Sequence, residues 1–397
     1  MTLTLLLDLD DTLLGTNTQA FFPAYLQALA RELSPKVSPE KMMSALMSGT
    51  RLMMASDDAS RTLREVFDAD FFPRIGVPRD ELAPDIEYFY DEVFPTLQSI
   101  TSSIAGAPSF VDWAFSQGYR VAVATDPIVP MKANRHRLRW AGLDPSRFEL
   151  ISAYEQFRFS KTYPAYYAEV LGQMGWPDGP VLMAGNDRER DIAPAQMLGL
   201  ATFHVDAEAS PGSEPGAEPR GSLAELRRWL ESTDISRLIP SFKSIESVIA
   251  VLSASPAVLQ ELSAGLDSAL WAHEPAPNDW ALIEVICHLR DTEREIHQMQ
   301  IKLFKEQFEP FIPRPDTAVW ASQRNYLNEN GPAALGEFTQ ARIETLAMLR
   351  DAAQEDWVRK ARHAIFGPTD FLEVVRFMAD HDRMHIQQAW KVINSKH

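Results

Sequence analysis

The chain begins with Leu5-Leu6-Leu7-Asp8-Leu9-Asp10-Asp11-Thr12-Leu13-Leu14, an apolar run that stops abruptly in carboxylates. A strand buried on both faces delivers side chains in this way to the rim of a parallel sheet, where open α/β folds place their ligands. Strand alternation sends Asp8 and Asp10 to the same side. Two carboxylates held that close repel each other unless a cation lies between them or one keeps its proton. The pair therefore reads as a metal site with an acid/base partner. The plain alternative is a strand running into an acidic turn.

Over 16–97 the pattern is helical, with Phe21, Tyr25, Ala28 and Leu29 in one stripe, Met42, Met43 and Leu46 in a second, and Leu63, Val66 and Phe67 in a third. Helices inserted directly after such a strand form a natural lid over the rim, and most of these apolar residues serve as its interior. Helix and strand then alternate. Strands are expected over 119–124, 148–151, 180–184 and 201–205, the last closing the sheet. The first of these ends at Thr125-Asp126, where a hydroxyl and free amides can hold a phosphoryl oxygen. Lys161 precedes a helix over 163–172 and, taken alone, reads as a surface lysine. The third strand ends in Gly185-Asn186-Asp187 with Asp191 four residues on. That spacing puts the two carboxylates on one side of the next turn, where they can complete a divalent cation site. His204 reads as a strand residue.

Four signals thus occur in order: Asp8-x-Asp10-x-Thr12, Thr125 after a buried strand, Lys161 before a helix, and Gly185-Asn186-Asp187 with Asp191. Over about 1–230 the chain resembles the haloacid dehalogenase (HAD) superfamily of phosphohydrolases. The resemblance implies a doubly wound, Rossmann-like domain with a helical cap. Asp8 would be the nucleophile and Asp10 the acid and base, while Thr125 and Lys161 would bind the phosphoryl oxygens. Asp8, the carbonyl of Asp10 and Asp187 would hold magnesium, with Asp191 in support. Dehalogenase members of the superfamily lack the second aspartate, which is present here as Asp10.

At 397 residues the chain exceeds what one core usually serves, so two domains are expected, over 1–235 and 241–397. A formal charge of -17, from 38 Lys and Arg against 55 Asp and Glu, excludes a nucleic-acid or anionic-membrane surface spread over the molecule and suits small ligands and cations. Cys287 is the single cysteine, which excludes an internal disulfide framework and fits a reducing compartment. The first apolar run has no basic leader and is broken by Asp8, so a signal peptide or spanning helix is not expected and a cytoplasmic protein is.

The stretch 206–221, rich in Pro, Gly, Ser and Glu, reads as a mobile surface loop, and 222–231 as an amphipathic helix packed back on the first domain. From Lys243 onward the pattern shows helices and no convincing strands. Four long segments, about 245–266, 279–306, 332–352 and 369–395, suggest a four-helix bundle with 308–330 as a crossover. In the second segment Leu282, Val285, His288, Thr292, Ile296, Met299 and Leu303 share a face, and His297 falls off it. In the fourth, His381 and His385 lie on the stripe of Val374, Met378, Ala389 and Val392. Two histidines four residues apart on one helix, with a third facing them, can hold a divalent metal and leave positions open. His363 and His397 read as surface residues.

The Trp280-led helix with His288, followed by His381-Asp382-Arg383-Met384-His385, is similar to the DinB-like (DinB/YfiT) metal-binding bundles. That resemblance implies zinc, nickel or another divalent ion on His288, His381 and His385; where members have known activities many depend on a low-molecular-weight thiol, and the resemblance leaves the reaction of this bundle, a transferase or a hydrolase, open. Together the two halves predict an α/β domain followed by an all-α bundle: a magnesium-dependent phosphatase of a small phosphorylated metabolite joined to a metal-bound bundle. The alternatives are a bundle that only binds a ligand or dimerises, and a bundle enzyme regulated by the first domain. No nucleic-acid or membrane partner is expected, and the sequence leaves open whether two copies pair through the bundle.

Overall fold

The structure, a computed structural model, describes residues 1–206, 218–276 and 279–394. The chain divides into two compact units: 1–170 with 177–241, and 242–397 with 171–176. The loop expected over 206–221 lies largely outside the described residues, as does His397.

The first unit is built on six strands: β1 (Thr4–Leu7), β2 (Arg120–Val123), β3 (Leu150–Ile151), β4 (Val181–Gly185), β5 (Ala201–Val205) and β6 (Arg220–Gly221). All pairings are parallel and the order is β3-β2-β1-β4-β5-β6. Strand β6 extends the sheet beyond the last strand expected, because two residues entering an edge carry no periodic signal. Leu7 is in register with Val123 on one side and Ala184 on the other. The chain reverses its direction of travel across the sheet between β1 and β4, and the carboxyl ends of β1, β2 and β4 converge at that switch point. Every residue of β1 is buried, which is why its sequence is apolar without alternation.

The lid consists of α1 (Thr18–Glu32), α2 (Pro39–Ala55), α3 (Leu63–Ile75) and α4 (Arg79–Tyr88), followed by a π turn and a 3₁₀ stretch to Ile100. Thr62 and Glu65 close α3 with a reciprocal capping box. The lid has its own core, which includes Phe21, Tyr25, Met42, Leu46, Phe71 and Phe94. A second core beneath the sheet is formed by residues such as Leu5, Val123, Leu182 and Leu226. The helices around the sheet are α5 (Ala107–Ser116), α6 (Met131–Trp140), α7 (Pro164–Gln173), α8 (Ala193–Leu198) and α9 (Leu223–Ser232).

The second unit is a bundle of α10 (Ile245–Leu262), α11 (Leu282–Thr292) continued by α12 (Gln298–Glu306), α13 (Gly331–Arg350) and α14 (Phe371–Asn394). Helices α10 and α11 each pack against both α13 and α14. Among the described residues α10 is long and apolar enough to cross a membrane, and 67% of that window is buried, as in a core helix. Contrary to expectation the unit also contains a small sheet of β7 (Phe311–Ile312), β8 (Lys360–His363) and β9 (Gly367–Asp370), ordered β9-β8-β7. These strands are only two to four residues long, too short for a local periodicity to announce them.

A five-residue π turn, Glu293–His297, joins α11 to α12. The wider turn shifts the helical phase, so Ile301 and Phe304 are buried where Met299 and Leu303 were expected. His297, placed off the inner face by regular periodicity, is buried. His363, read as a surface residue, is also buried, at the end of β8 with its ring against Phe366 and Phe377.

Candidate functional sites

In the first unit Asp8 follows β1 directly and is 5% exposed. The Lys161 ammonium, 1% exposed, lies 2.5 Å from Asp8 Oδ1 and 2.5 Å from Asp191 Oδ1. Lys161 is thus the buried bridge of the site, because the turn before α7 carries it inward rather than to the surface. Burial, reinforced by the neighbouring charge of Asp191, raises the Asp8 carboxyl to about 7 despite the lysine.

The chain turns sharply after Asp10. Asp11 adopts φ +55°, and its carboxylate accepts the amides of Thr16 (2.8 Å) and Asn17 (3.2 Å). Asp10 itself is paired with the buried guanidinium of Arg137. Burial opposes its charge, but Arg137 outweighs burial and holds this carboxyl below its ordinary value. Arg137 also donates to Asn134 Oδ1 (3.0 Å), whose amide donates to the Ser152 carbonyl (2.8 Å), which fixes the guanidinium from behind. Arg137 was not singled out from sequence. The available signal was its place on the inner stripe of α6 beside Ala133, Asn134 and Leu138, where an arginine needs a partner.

Thr125 is 1% exposed, and its hydroxyl is buried without a hydrogen-bond partner. Its carbonyl accepts from Ser152 Oγ (2.6 Å) and Tyr166 Oη (2.8 Å). An orphaned hydroxyl at the end of a central strand is the kind of group a ligand oxygen satisfies.

The carboxylates expected to hold a cation have protein partners of their own. Asp187 caps the helical turn that follows it, its Oδ1 accepting the amides of Glu189 (2.8 Å) and Arg190 (3.1 Å). Asp191 is committed to Lys161 and to the Asp187 amide (2.8 Å). The side chain that reaches Asp8 is Asn186: its amide end lies 2.8 Å from the Asp10 carbonyl oxygen, 3.3 Å from Asp8 Oδ2 and 3.2 Å from Thr12 Oγ1. With nitrogen at that end the amide donates to these oxygens. With oxygen there, an amide oxygen, a carbonyl and a carboxylate converge, a donor set that suits a hard dication such as magnesium. Gly185 is required because a Cβ there would collide with the Asp191 carboxylate. Asp126, also missed, accepts the Lys161 amide (3.3 Å) and faces Arg190 (3.5 Å).

In the second unit α11 supplies His288 and α14 supplies His381 and His385. Their ligand atoms lie within 4.8 Å of one another, and among the described residues no other group of three His, Cys or carboxylate ligands is so placed. The His288 and His381 Nε2 atoms are 3.0 Å apart. Burial, then the neighbouring imidazoles, pushes His288 down to about 3 and His381 well below its usual value, while burial lowers His385. Three neutral imidazoles turned toward one point are in the form that binds a transition metal. Trp280 stacks on His385 (5.9 Å between ring centroids, 7° between planes). His385 Nδ1 faces Gln388 Oε1 at 3.0 Å.

Behind the triad lies a buried ionic network. Arg342 pairs with Glu293 (2.8 and 2.7 Å) and Asp382 (2.5 and 3.2 Å), and donates to the Leu252 carbonyl (2.9 Å). Glu293 also faces His297 Nδ1 at 2.9 Å, and the His297 ring stands edge-on to His381, 5.6 Å between centroids.

The two units therefore present a doubly wound domain with a buried Asp-Lys-Asp bridge at its switch point, and a helical bundle with a three-histidine cluster. Residues 252–389 match the family model of the DinB superfamily, so the bundle carries a domain of that superfamily. A search of curated proteins yields no match. Among solved structures the chain is similar to YfiT from Bacillus subtilis, described as a probable metal-dependent hydrolase with an unusual four-helix bundle topology (18% identity, TM-score 0.35, covering 38% of this chain and 87% of that one). It is also similar to a HAD phosphatase from Thermococcus onnurineus (19%, TM-score 0.38, 58% and 98%) and to a 2-haloacid dehalogenase from Pseudomonas syringae (18%, TM-score 0.41, 58% and 99%). Likeness at this level leaves the chemistry to be read from the side chains.

Proposed function

We propose that the first unit is a magnesium-dependent phosphomonoester hydrolase that works through a phosphorylated Asp8. The observation that carries this reading is the buried Lys161 bridge between Asp8 and Asp191 at the switch point. A nucleophilic carboxylate beside a fixed ammonium is what attack on an anionic phosphoryl group needs. An Asp8 oxygen attacks phosphorus, the bond from phosphorus to the alcohol oxygen breaks, and that oxygen takes a proton from Asp10. Water then attacks the phosphorus, passes a proton to Asp10, and releases inorganic phosphate and free Asp8.

Arg137 is paired with Asp10 and holds this carboxyl below its ordinary value; the proton Asp10 takes from water in the second half of one turnover is the one it gives to the leaving oxygen in the next. Lys161 and the Thr125 hydroxyl hold the phosphoryl oxygens. Asp8, the Asp10 carbonyl and the Asn186 amide oxygen would hold magnesium, which would supply positive charge beside the phosphoryl group.

The bundle is proposed as a divalent-metal centre, zinc or nickel, on His288, His381 and His385, where a bound water or low-molecular-weight thiol would be activated. The test is phosphate release from a panel of phosphomonoesters with magnesium, with metal content measured on the same samples. Asp8→Asn should abolish release without unfolding the chain, and retained turnover would refute the assignment.

A further inference from the structure

Between the lid and the sheet of the first unit lies a cavity of about 670 Å³ that runs from Asp8, Asp10 and Lys161 deep into the lid. That is the size of a pocket for a sizeable organic ligand, far more than a phosphoryl group fills. Its lid wall is mostly apolar and comes from all four helices, with Leu26 and Leu29 of α1, Leu46 and Met53 of α2, Phe71 of α3 and Ile86 of α4, and with Gln19, Thr50 and Asp68 among them.

The six cations that line it are all engaged. Lys161 and Arg137 belong to the site, Arg64 and Arg79 share Asp68 (3.7 and 3.4 Å), Lys132 pairs with Glu87 and Asp91 (2.6 and 2.8 Å), and Arg190 faces Asp126 and Asp187 (3.5 and 3.8 Å). The two tyrosine hydroxyls of the lid wall, Tyr25 and Tyr90, are bonded to each other at 2.6 Å. The lid thus offers a substrate mostly apolar surface, and each cation lining the cavity already lies beside a carboxylate. A second phosphate or a carboxylate on the leaving group would have to compete with those carboxylates for a cation and lose its water against the apolar wall, which is costly.

From this we infer, resting on the phosphatase reading above, that the substrate is the phosphate ester of an extended, uncharged, apolar alcohol, whose hydrocarbon part fills the lid cavity. The binding energy of that remote part would be available to drive the chemistry at Asp8.

The test holds leaving-group chemistry constant and varies only apolar length. With the full chain and magnesium, kcat/KM is measured for ethyl, n-butyl and n-octyl phosphate and for phosphoglycolate, each against Asp8→Asn. Specificity should rise about fourfold per added methylene, and phosphoglycolate should fall about tenfold or more below butyl phosphate. Leu26→Gln, which places an amide in the wall, should lower the octyl-to-ethyl ratio. The wild-type series decides the matter even where that variant folds poorly. Asp8-dependent release that is flat or falls with chain length, or that favours phosphoglycolate, overturns this inference and leaves the phosphatase reading standing. Absence of Asp8-dependent release from every ester refutes the phosphatase reading and this inference with it.

Discussion

Replacing Arg342 by methionine removes the one cation from a buried cluster and leaves the Glu293 and Asp382 carboxylates facing each other. The side chains of Glu293 and Asp382 are 1% and 0% exposed, and Arg342 is itself fully buried, so water cannot take over the lost hydrogen bonds. Four carboxylate contacts and one to the Leu252 carbonyl disappear together. Breaking a buried pair from one side costs about 3–5 kcal/mol, because the remaining charge is uncompensated. Arg342→Met should therefore destabilise the bundle by that amount. Combined with Glu293→Leu and Asp382→Leu it should recover most of the loss, since no buried charge then remains.

The assay is urea denaturation of the full chain, with native-state hydrogen exchange assigning the weakened transition to α13. The same variant should lose about ten- to a hundredfold in metal affinity, because Glu293 orients His297 beside His381 and Asp382 adjoins His381 in sequence. A stability change below about 1 kcal/mol for the single variant, where the removal of a buried partner should cost several, would refute the reasoning.

Three further outcomes are expected. Thr125→Val keeps the shape and removes only an unpartnered hydroxyl, so stability should hold within about 0.5 kcal/mol while phosphate release falls about a hundredfold; loss of fold with full activity per folded molecule would reverse that assignment. His385→Ala should lower the metal bound per chain by the bundle, read by elemental analysis, and unchanged stoichiometry would count against the triad. Glu293 is held well below its ordinary 4.5: burial opposes its charge, but Arg342 and His297 outweigh it. An acid depressed in this way stabilises the fold above the unfolded value and loses that contribution as pH falls through the folded one. The bundle should therefore weaken progressively below about pH 4.5, and Glu293→Gln should flatten that limb of the stability curve.

Much of this molecule could be read along the chain. Where a residue's environment is set by its own strand or helix, periodicity suffices. The unbroken apolar run of β1 marks a strand buried on both faces, its polar end marks the rim, and the i, i+4 spacing of His381 and His385 puts both on one face of α14. What stayed hidden depends on segments far apart in sequence.

Whether Asp187 or Asn186 meets Asp8 is decided by how the turn after β4 caps its helix, and both residues are plausible oxygen donors in a one-dimensional reading. Arg137 reaches Asp10 from 127 positions away, and Lys161 is buried only because Asp8 and Asp191 offset its desolvation. His297 came inward because one π turn shifted the phase of a helix whose regular period had placed it outside. Local patterns specify elements and their faces, since those follow from the geometry of a few successive residues. Ion pairing, metal donors and the lining of a cavity follow from how elements pack, and that is settled only when the folded chain has balanced desolvation against the partners it brings together.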